Sequence, residues 1–574
     1  MPKYEMKIRR AVETLRILCY NDPIMRIGGK TMTNIKLTKP LRRWLFGGIG
    51  FHNSEATMLP IMSEQFRDER VYKSFREISP TFARVFAGYA DWTREAMDHF
   101  ADYYDATFRR AGTLLYVVPG RMPIMDENFD IEDYAERTAS NLEYLIKERK
   151  CNKIRYFCVT NELSVGNTYA YLSKDLDLFK RLHTALYWAF RRHGLDVGLM
   201  ATDCAGEENY HQIDWAMQNM DEITDTYCTH LYMQKHAPGS PDIYPDVLSV
   251  LTDMAERVLI KEKRYMLGEY GIMPAVRGVP RAPMIDDTSY AAFDPKTEAD
   301  HAISLCEMAL AVVNSGTLAG TSWTMFDYPD PILRENGDSE QEKARYDVAR
   351  FSGHGLSIRY NKHGLIRWCD DEQDYSSRAA LYTMGYTAKL FKKGTRVMKC
   401  EVIDDALVRC AAVTGADGSI SVALVNWADS EKEISLDIEH TIDKKLRIYE
   451  YAADNIPYNR FNDLQTHSGT VEQKNGNVCV TVKPRSVTFL TTDYTDRTPS
   501  AVQGVKRKDG VLTWKPSQDA EHCYYRVYAS DRKDFEPCYD NQIASTVAEK
   551  LCVSGEYRYY KVVSVDTSGN VGRA

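Results

Sequence analysis

The sequence predicts an α/β fold, an eight-unit (β/α)8 barrel, followed by two all-β units. Three observations carry this. From about residue 45 to 330 short apolar runs alternate with longer stretches of helical period, and with a last helix after them the barrel is expected over 45–395. Eight such runs can be counted. Beyond residue 396 the texture changes to period-two alternation with short turns.

The runs are FGGIGFH (46–52), TFARVFAGY (81–89), TLLYVVPG (113–120), IRYFCVTNE (154–162), VGLMATD (197–203), DTYCTHLYM (225–233), RYMLGEYG (264–271) and GTSWTMFD (320–327). Most are separated by segments such as DLFKRLHTALYWAFRRHG (177–194), whose 3.6-residue period ends on a glycine, as helices prefer. Strands alternating with helices pair in parallel through crossover helices. Eight units in this length match a TIM barrel. A doubly wound open sheet would show a glycine-rich phosphate turn after its first strand. The glycines of FGGIGFHN fall before and inside the run, not at G-x-G-x-x-G spacing ahead of a helix. The last barrel helix is expected at 376–394.

Antiparallel strands are expected at 408–413, 420–427, 433–438, 446–451, 477–483 and 486–492, a β-sandwich spanning 396–494. Residues 1–44 form an N-terminal segment whose apolar-alternating stretch, 34–38, is expected to pack on that sandwich. A Pro- and Ser-containing junction at 495–501 opens the last unit, 495–574. Val511, Thr513 and Trp514, then Tyr525, Val527 and Tyr528, then the closing VVSVDTSGN, give it the wording of a fibronectin type III module, which it resembles. The resemblance implies a seven-stranded sandwich with Trp514 in its own core, set apart from the barrel mouth.

Apolar residues at 44% and charged residues at 27% exclude a disordered or fibrous chain. A net charge of −8 makes the chain a poor candidate for sequence-independent nucleic-acid binding, which needs a basic face, and no nucleic-acid partner is expected. The 13 cysteines contain no C-x-x-C pair, so a zinc ribbon or finger is not expected. The opening MPKYEMKIRR lacks the apolar stretch of a secretory signal, although a removed signal would leave the same mature chain. The longest uncharged run, 308–326, is broken by Asn314, Ser315, Gly316 and Gly320 and reads as helix end, turn and strand. The expectation is a reduced, cytoplasmic protein with no membrane partner, and a homo-oligomer is left open.

Barrel enzymes place their chemistry at the C-terminal ends of the strands. Run four ends in Thr160-Asn161-Glu162 and run seven in Gly268-Glu269-Tyr270-Gly271. Strands four and seven stand on opposite sides of an eight-stranded mouth, so their carboxylates can face each other. Two facing carboxylates serve retaining glycoside hydrolysis, one as acid and base and one as nucleophile, at a separation of about 5–5.5 Å. The competing reading of either glutamate alone is a helix cap or a surface ion pair.

With its companions the pair resembles clan A of the retaining glycoside hydrolases, and the attached sandwich resembles the layout of family 39 (β-xylosidases, α-L-iduronidases) and its neighbours. The resemblance implies Glu162 as acid/base and Glu269 as nucleophile. It further implies Arg84 supporting the nucleophile, Asn161 on the sugar 2-hydroxyl, the His230 and Tyr232 pair after strand six, and Trp323 as the floor of the sugar site. Leu163 departs from the proline many clan members carry after the acid/base.

His52, Asn53 and Glu55 at the end of run one can meet a substrate hydroxyl or cap a helix. Asp203 at the end of run five is a subsite candidate, and Trp92, after Asp91, lines a subsite or starts a helix. Asp370-Asp371-Glu372 lacks calcium-loop spacing and reads as a solvated turn. His193 and His236 show no metal-ligand pattern, so neither metal nor cofactor is expected. The partner expected is an oligosaccharide or glycoside, attacked from its end. The alternatives are a barrel that binds carbohydrate without catalysis, and an aldolase or metal-dependent hydrolase, which would want a strand-end Lys or a His/Asp cluster.

Overall fold

The computed structural model describes residues 32–40, 44–53, 62–88, 90–119, 129–164, 170–272, 295–331, 358–361, 364–368 and 373–574. Eight parallel strands close in chain order into a barrel: Gly48–His52, Phe82–Phe86, Leu114–Val118, Ile154–Cys158, Gly198–Ala205, Thr226–Met233, Arg264–Ile272 and Ala319–Ser322. Closure is direct, with Gly48 to Phe51 of the first strand in register with Ala319 to Ser322 of the eighth. All eight fall on the expected runs. Strands buried on both faces must be apolar throughout, and that makes them visible in sequence.

The helix Leu176–Arg192 shows how the outer ring forms. Asp175 caps its first turn, accepting from Leu178 N at 3.0 Å, and Phe179, Leu182, Leu186 and Phe190 make its buried stripe. Gly194, at φ 59°, takes the left-handed turn beyond its end. The last barrel helix is shorter than expected, Ala380–Leu390. Ser377 ahead of it is bridged to Ile366, and the Arg378 side chain is drawn to Asp327 at 2.8 Å.

The sandwich is one nine-stranded sheet in the order 469–471, 446–452, 486–491, 420–426, 408–414, 396–403, 33–40, 432–438, 477–482. Its interior holds Ile35, Leu37, Val422, Leu424, Leu436 and Val478. The intervening residues Ala423, Val425, Val487 and Phe489 join the core around the barrel helices instead. The strand Thr33–Pro40 pairs antiparallel with Arg396–Ile403 and parallel with Lys432–Ile438. Arg396–Ile403 and Gly469–Val471 were not expected, because neither carries an apolar run: most of their side chains are exposed or half-buried.

The C-terminal unit has six strands in two three-stranded sheets, 506–508, 511–513, 550–552 and 542–546, 522–530, 559–566, one fewer than the seven expected. Beyond the last strand, Val565 and Val571 form an isolated antiparallel bridge. Trp514 is buried, edge-on to Tyr525 at 5.4 Å. Among the described residues no helix is long and apolar enough to cross a membrane.

Candidate active site

The barrel brings the strand ends together around Arg84, which is fully buried at the second strand. Its Nη1 donates to Glu269 Oε1 and to His52 Nδ1 (3.0 Å); its Nη2 donates to Asn161 Oδ1 (2.6 Å) and Asp203 Oδ2 (2.9 Å). Arginine only donates, so Nδ1 of His52 accepts, and the Asn161 amide is oriented with its NH₂ away from Arg84. The other oxygen of Glu269 accepts from Tyr232 Oη at 2.7 Å.

His230 is the second cation of the cluster. Its Nε2 lies 2.9 Å from Asp203 Oδ1, and its Nδ1 lies 3.1 Å from Glu162 Oε1 and 3.4 Å from Glu269 Oε2. Burial alone would lower its pKa; Asp203 and then Glu269 outweigh burial and push it up to about 10. Asp203 is held well below the usual carboxylate range because His230 and Arg84 outweigh its burial. Burial pushes the Glu269 carboxyl up, against the pull of Arg84 and His230. One oxygen of Glu162, one of Glu269 and a ring nitrogen of His230 lie within 4.8 Å of one another. Glu162 is the more open of the two glutamates, its side chain 12% exposed against 5% for Glu269.

The backbone is bent to present these groups. Pairing of the fifth strand with the sixth slips between Thr202 and Cys204, leaving Asp203 as the extra residue. Pairing of the sixth with the seventh slips at Thr229/His230, leaving Gly268 extra, immediately before Glu269. Such bulges re-aim side chains beside a site. Asp203 (φ 58°) and Glu162 (φ 57°) are both left-handed, a conformation that costs a non-glycine residue on the order of 1–3 kcal/mol. Gly268 is required by space: a Cβ there would stand 2.7 Å from Asp203 Oδ1.

The sequence offers Arg84 as support for the nucleophile, with Asn161, His230, Tyr232, Trp323, His52, Asn53 and Asp203 as further residues of the site. All gather at this mouth, but the structure divides them. Arg84, His52, Asn53, Asp203 and His230 are fully buried and act on other side chains. His52 packs under Trp323 (ring centroids 4.3 Å) and against Phe86 (4.4 Å). Asn53 donates to Met325 Sδ at 3.6 Å, and its backbone N–H donates to Arg84 O at 2.9 Å. Asp203 lies between Arg84 and His230, paired with both.

Trp92 packs 5.8 Å from Phe100, Asp91 pairs with Arg137, and Thr93 caps the helix that follows, Arg94–Ala106. His193 bridges Glu136 and Glu143, and His236 meets Asp246 at 2.8 Å. Glu55 and Asp370-Asp371-Glu372 lie outside the described residues. Tyr116 was missed. It is fully buried on the third strand, and the Arg84 guanidinium lies 5.3 Å from its ring centroid. A tyrosine inside the apolar run TLLYVV was its only signal.

No protein-family model matches the chain, and no curated protein matches it by sequence. Solved structures do match in fold. The catalytic domain of glycoside hydrolase family 30 xylanase C from Talaromyces cellulolyticus matches with a TM-score of 0.53 at 14% identity, covering 80% of this chain and 99% of that one. An α-L-arabinofuranosidase from Thermotoga maritima, solved with arabinose, gives a TM-score of 0.53 at 12% identity over 80% and 99%. A conserved exported protein from Bacteroides fragilis gives 0.54 at 12% identity over 80% and 100%. The barrel with its flanking sandwich is therefore a fold this chain shares with the xylanase, the arabinofuranosidase and the exported protein.

Proposed function

We propose that the protein is a retaining glycoside hydrolase acting on β-glycosides or α-L-arabinofuranosides of oligosaccharides, with Glu269 as nucleophile and Glu162 as acid/base. The observation that carries this reading is the approach of one oxygen of each glutamate to within 4.8 Å across the mouth. Inverting enzymes hold their carboxyl groups about 6.5–9.5 Å apart to admit a water between them. The xylanase and arabinofuranosidase names of the fold neighbours support the substrate class.

The roles follow from the partners. Arg84 and Tyr232 both donate to Glu269, which favours its anion and aims it. The acid role requires a proton on Glu162 when substrate binds; Arg84 and His230 are the two cations that face the three carboxylates of the mouth. On binding, Glu162 gives that proton to the leaving oxygen while Glu269 attacks the anomeric carbon, forming the glycosyl ester and releasing the alcohol. Water then enters; Glu162 takes its proton, the hydroxide oxygen displaces Glu269, and the configuration is retained. The NH₂ end of Asn161, turned away from Arg84, donates to the sugar 2-hydroxyl in this reading, and Trp323 offers an apolar face to the ring.

The test is turnover of an aryl-glycoside panel, followed by Glu162→Ala with a dinitrophenyl glycoside. That variant should complete the first step, stall, and be released by azide as a glycosyl azide of unchanged configuration. An inverted azide product from Glu269→Ala instead would exchange the roles. Binding without turnover of any glycoside would favour the non-catalytic barrel, and loss of turnover with a chelator would favour a metal hydrolase. End attack is tested by whether a labelled tetrasaccharide first yields only monosaccharide.

A further inference from the structure

The helix Leu176–Arg192 turns its apolar stripe inward, and its outer face carries Arg181, Ala185, Trp188 and Arg192 at i, i+4, i+7 and i+11. Trp188 is 54% exposed, more than any other tryptophan or phenylalanine described. It stands edge-on to Tyr187 at 5.3 Å, and Tyr187 in turn lies under Arg191 at 4.4 Å. Beside it, between this helix and Ile131–Glu143, runs a groove of about 400 Å³. Ala185 lies in its lining, with Lys180, Arg181 and Glu132.

The charges there are distinctive. Arg192 is engaged by Glu136 at 2.7 Å. Lys180 and Arg181 have no ion-pair or hydrogen-bond partner for their cationic ends among the described residues, in a chain whose net charge is −8. A flat apolar face flanked by two unpaired cations and one carboxylate suits a ring with an apolar C–H side, hydroxyls and a negative substituent. The groove is short, and two cations fall well below the six to ten phosphate contacts typical of proteins that grip a nucleic-acid backbone.

We infer that the Trp188 groove is a second, non-catalytic binding site for a uronate-bearing oligosaccharide. Trp188 stacks on one sugar ring, Lys180 and Arg181 meet its carboxylates, and Glu132 accepts from its hydroxyls. None of these residues belongs to the barrel-mouth cluster. The inference builds on the glycoside hydrolase reading for its ligand class, but its test reads binding and not turnover.

The full-length protein is titrated calorimetrically with tri-galacturonate, with its methyl ester and with a short single-stranded oligonucleotide. Tri-galacturonate should bind, more weakly as salt rises because the cations are at the surface, and the uncharged ester should bind several-fold more weakly. Trp188→Ala should cost about ten-fold or more in affinity, and Lys180→Gln/Arg181→Gln should abolish the preference for acid over ester. Both variants should keep the wild-type thermal midpoint and aryl-glycoside turnover. Binding that survives Trp188→Ala overturns the site. Equal affinity for acid and ester, or tighter binding of the oligonucleotide, overturns the ligand class. If no aryl glycoside is turned over at all, only the hydrolase reading falls; absence of tri-galacturonate binding overturns this one.

Discussion

The barrel mouth and the junction with the C-terminal unit each bury a cluster of charges, and the two are built to opposite rules. At the junction, Lys73 from a barrel helix meets Glu77 and Asp463 at 2.7 Å each, Arg526 of the C-terminal unit meets Asp463 at 3.0 Å, and Tyr524 donates to Glu77 at 3.2 Å. Two cations balance two carboxylates. Burial alone would raise Asp463, but Lys73 and Arg526 outweigh it and hold it low. At the mouth three carboxylates share two cations, and burial prevails at Glu269. A balanced, closed cluster joins parts of a fold; at the mouth an excess of carboxylate is left partly open.

The comparison can be broken by substitution. The largest effect should come from Glu269→Ala, with kcat reduced by on the order of 10⁴-fold, about 5.5 kcal/mol, and a thermal midpoint no lower than wild type. Loss of folding instead would make the mouth cluster structural.

Next is Lys73→Met, which leaves Glu77 and Asp463 buried with too little positive charge. Denaturant unfolding should show a loss of about 3–5 kcal/mol, while kcat of the folded protein stays unchanged. A drop in kcat under folding conditions would mean that the junction and mouth are coupled.

Asp203→Asn should be smaller, about 10²-fold in kcat/KM, because misplacing Arg84 and His230 disturbs both glutamates. It also removes the main charge holding His230 protonated. The basic limb of the pH–rate profile should therefore move to lower pH, and an unmoved limb would separate Asp203 from His230.

The last effect is read in stability rather than turnover. His230 titrates near 6.5 when unfolded and at about 10 when folded. The folded state binds the extra proton, so this contribution is complete below about pH 6.5 and is lost as pH rises toward 10. Urea midpoints measured from pH 6 to 10 should fall less steeply in His230→Gln than in wild type.

The sequence by itself determined the barrel, because each of its strands is an apolar run, and it marked the glutamate pair, because Glu162 and Glu269 break the ends of two such runs. It also marked Trp514 as core. The strand Arg396–Ile403 was not legible, since its pairing with Thr33–Pro40 joins residues more than 350 positions apart and no apolar run announces it. The role of Asp203 was legible only as a polar strand end. Its place between Arg84 and His230 comes from a bulge in strand pairing and the meeting of four barrel strands on Arg84. The same holds for Lys73, Asp463 and Arg526, three ordinary surface-type residues until the packing of barrel, sandwich and C-terminal unit takes them out of water together. Hydrophobic pattern is a local property and survives in the sequence. Desolvation and charge pairing are set by which distant residues share a cavity, and only the tertiary structure decides that.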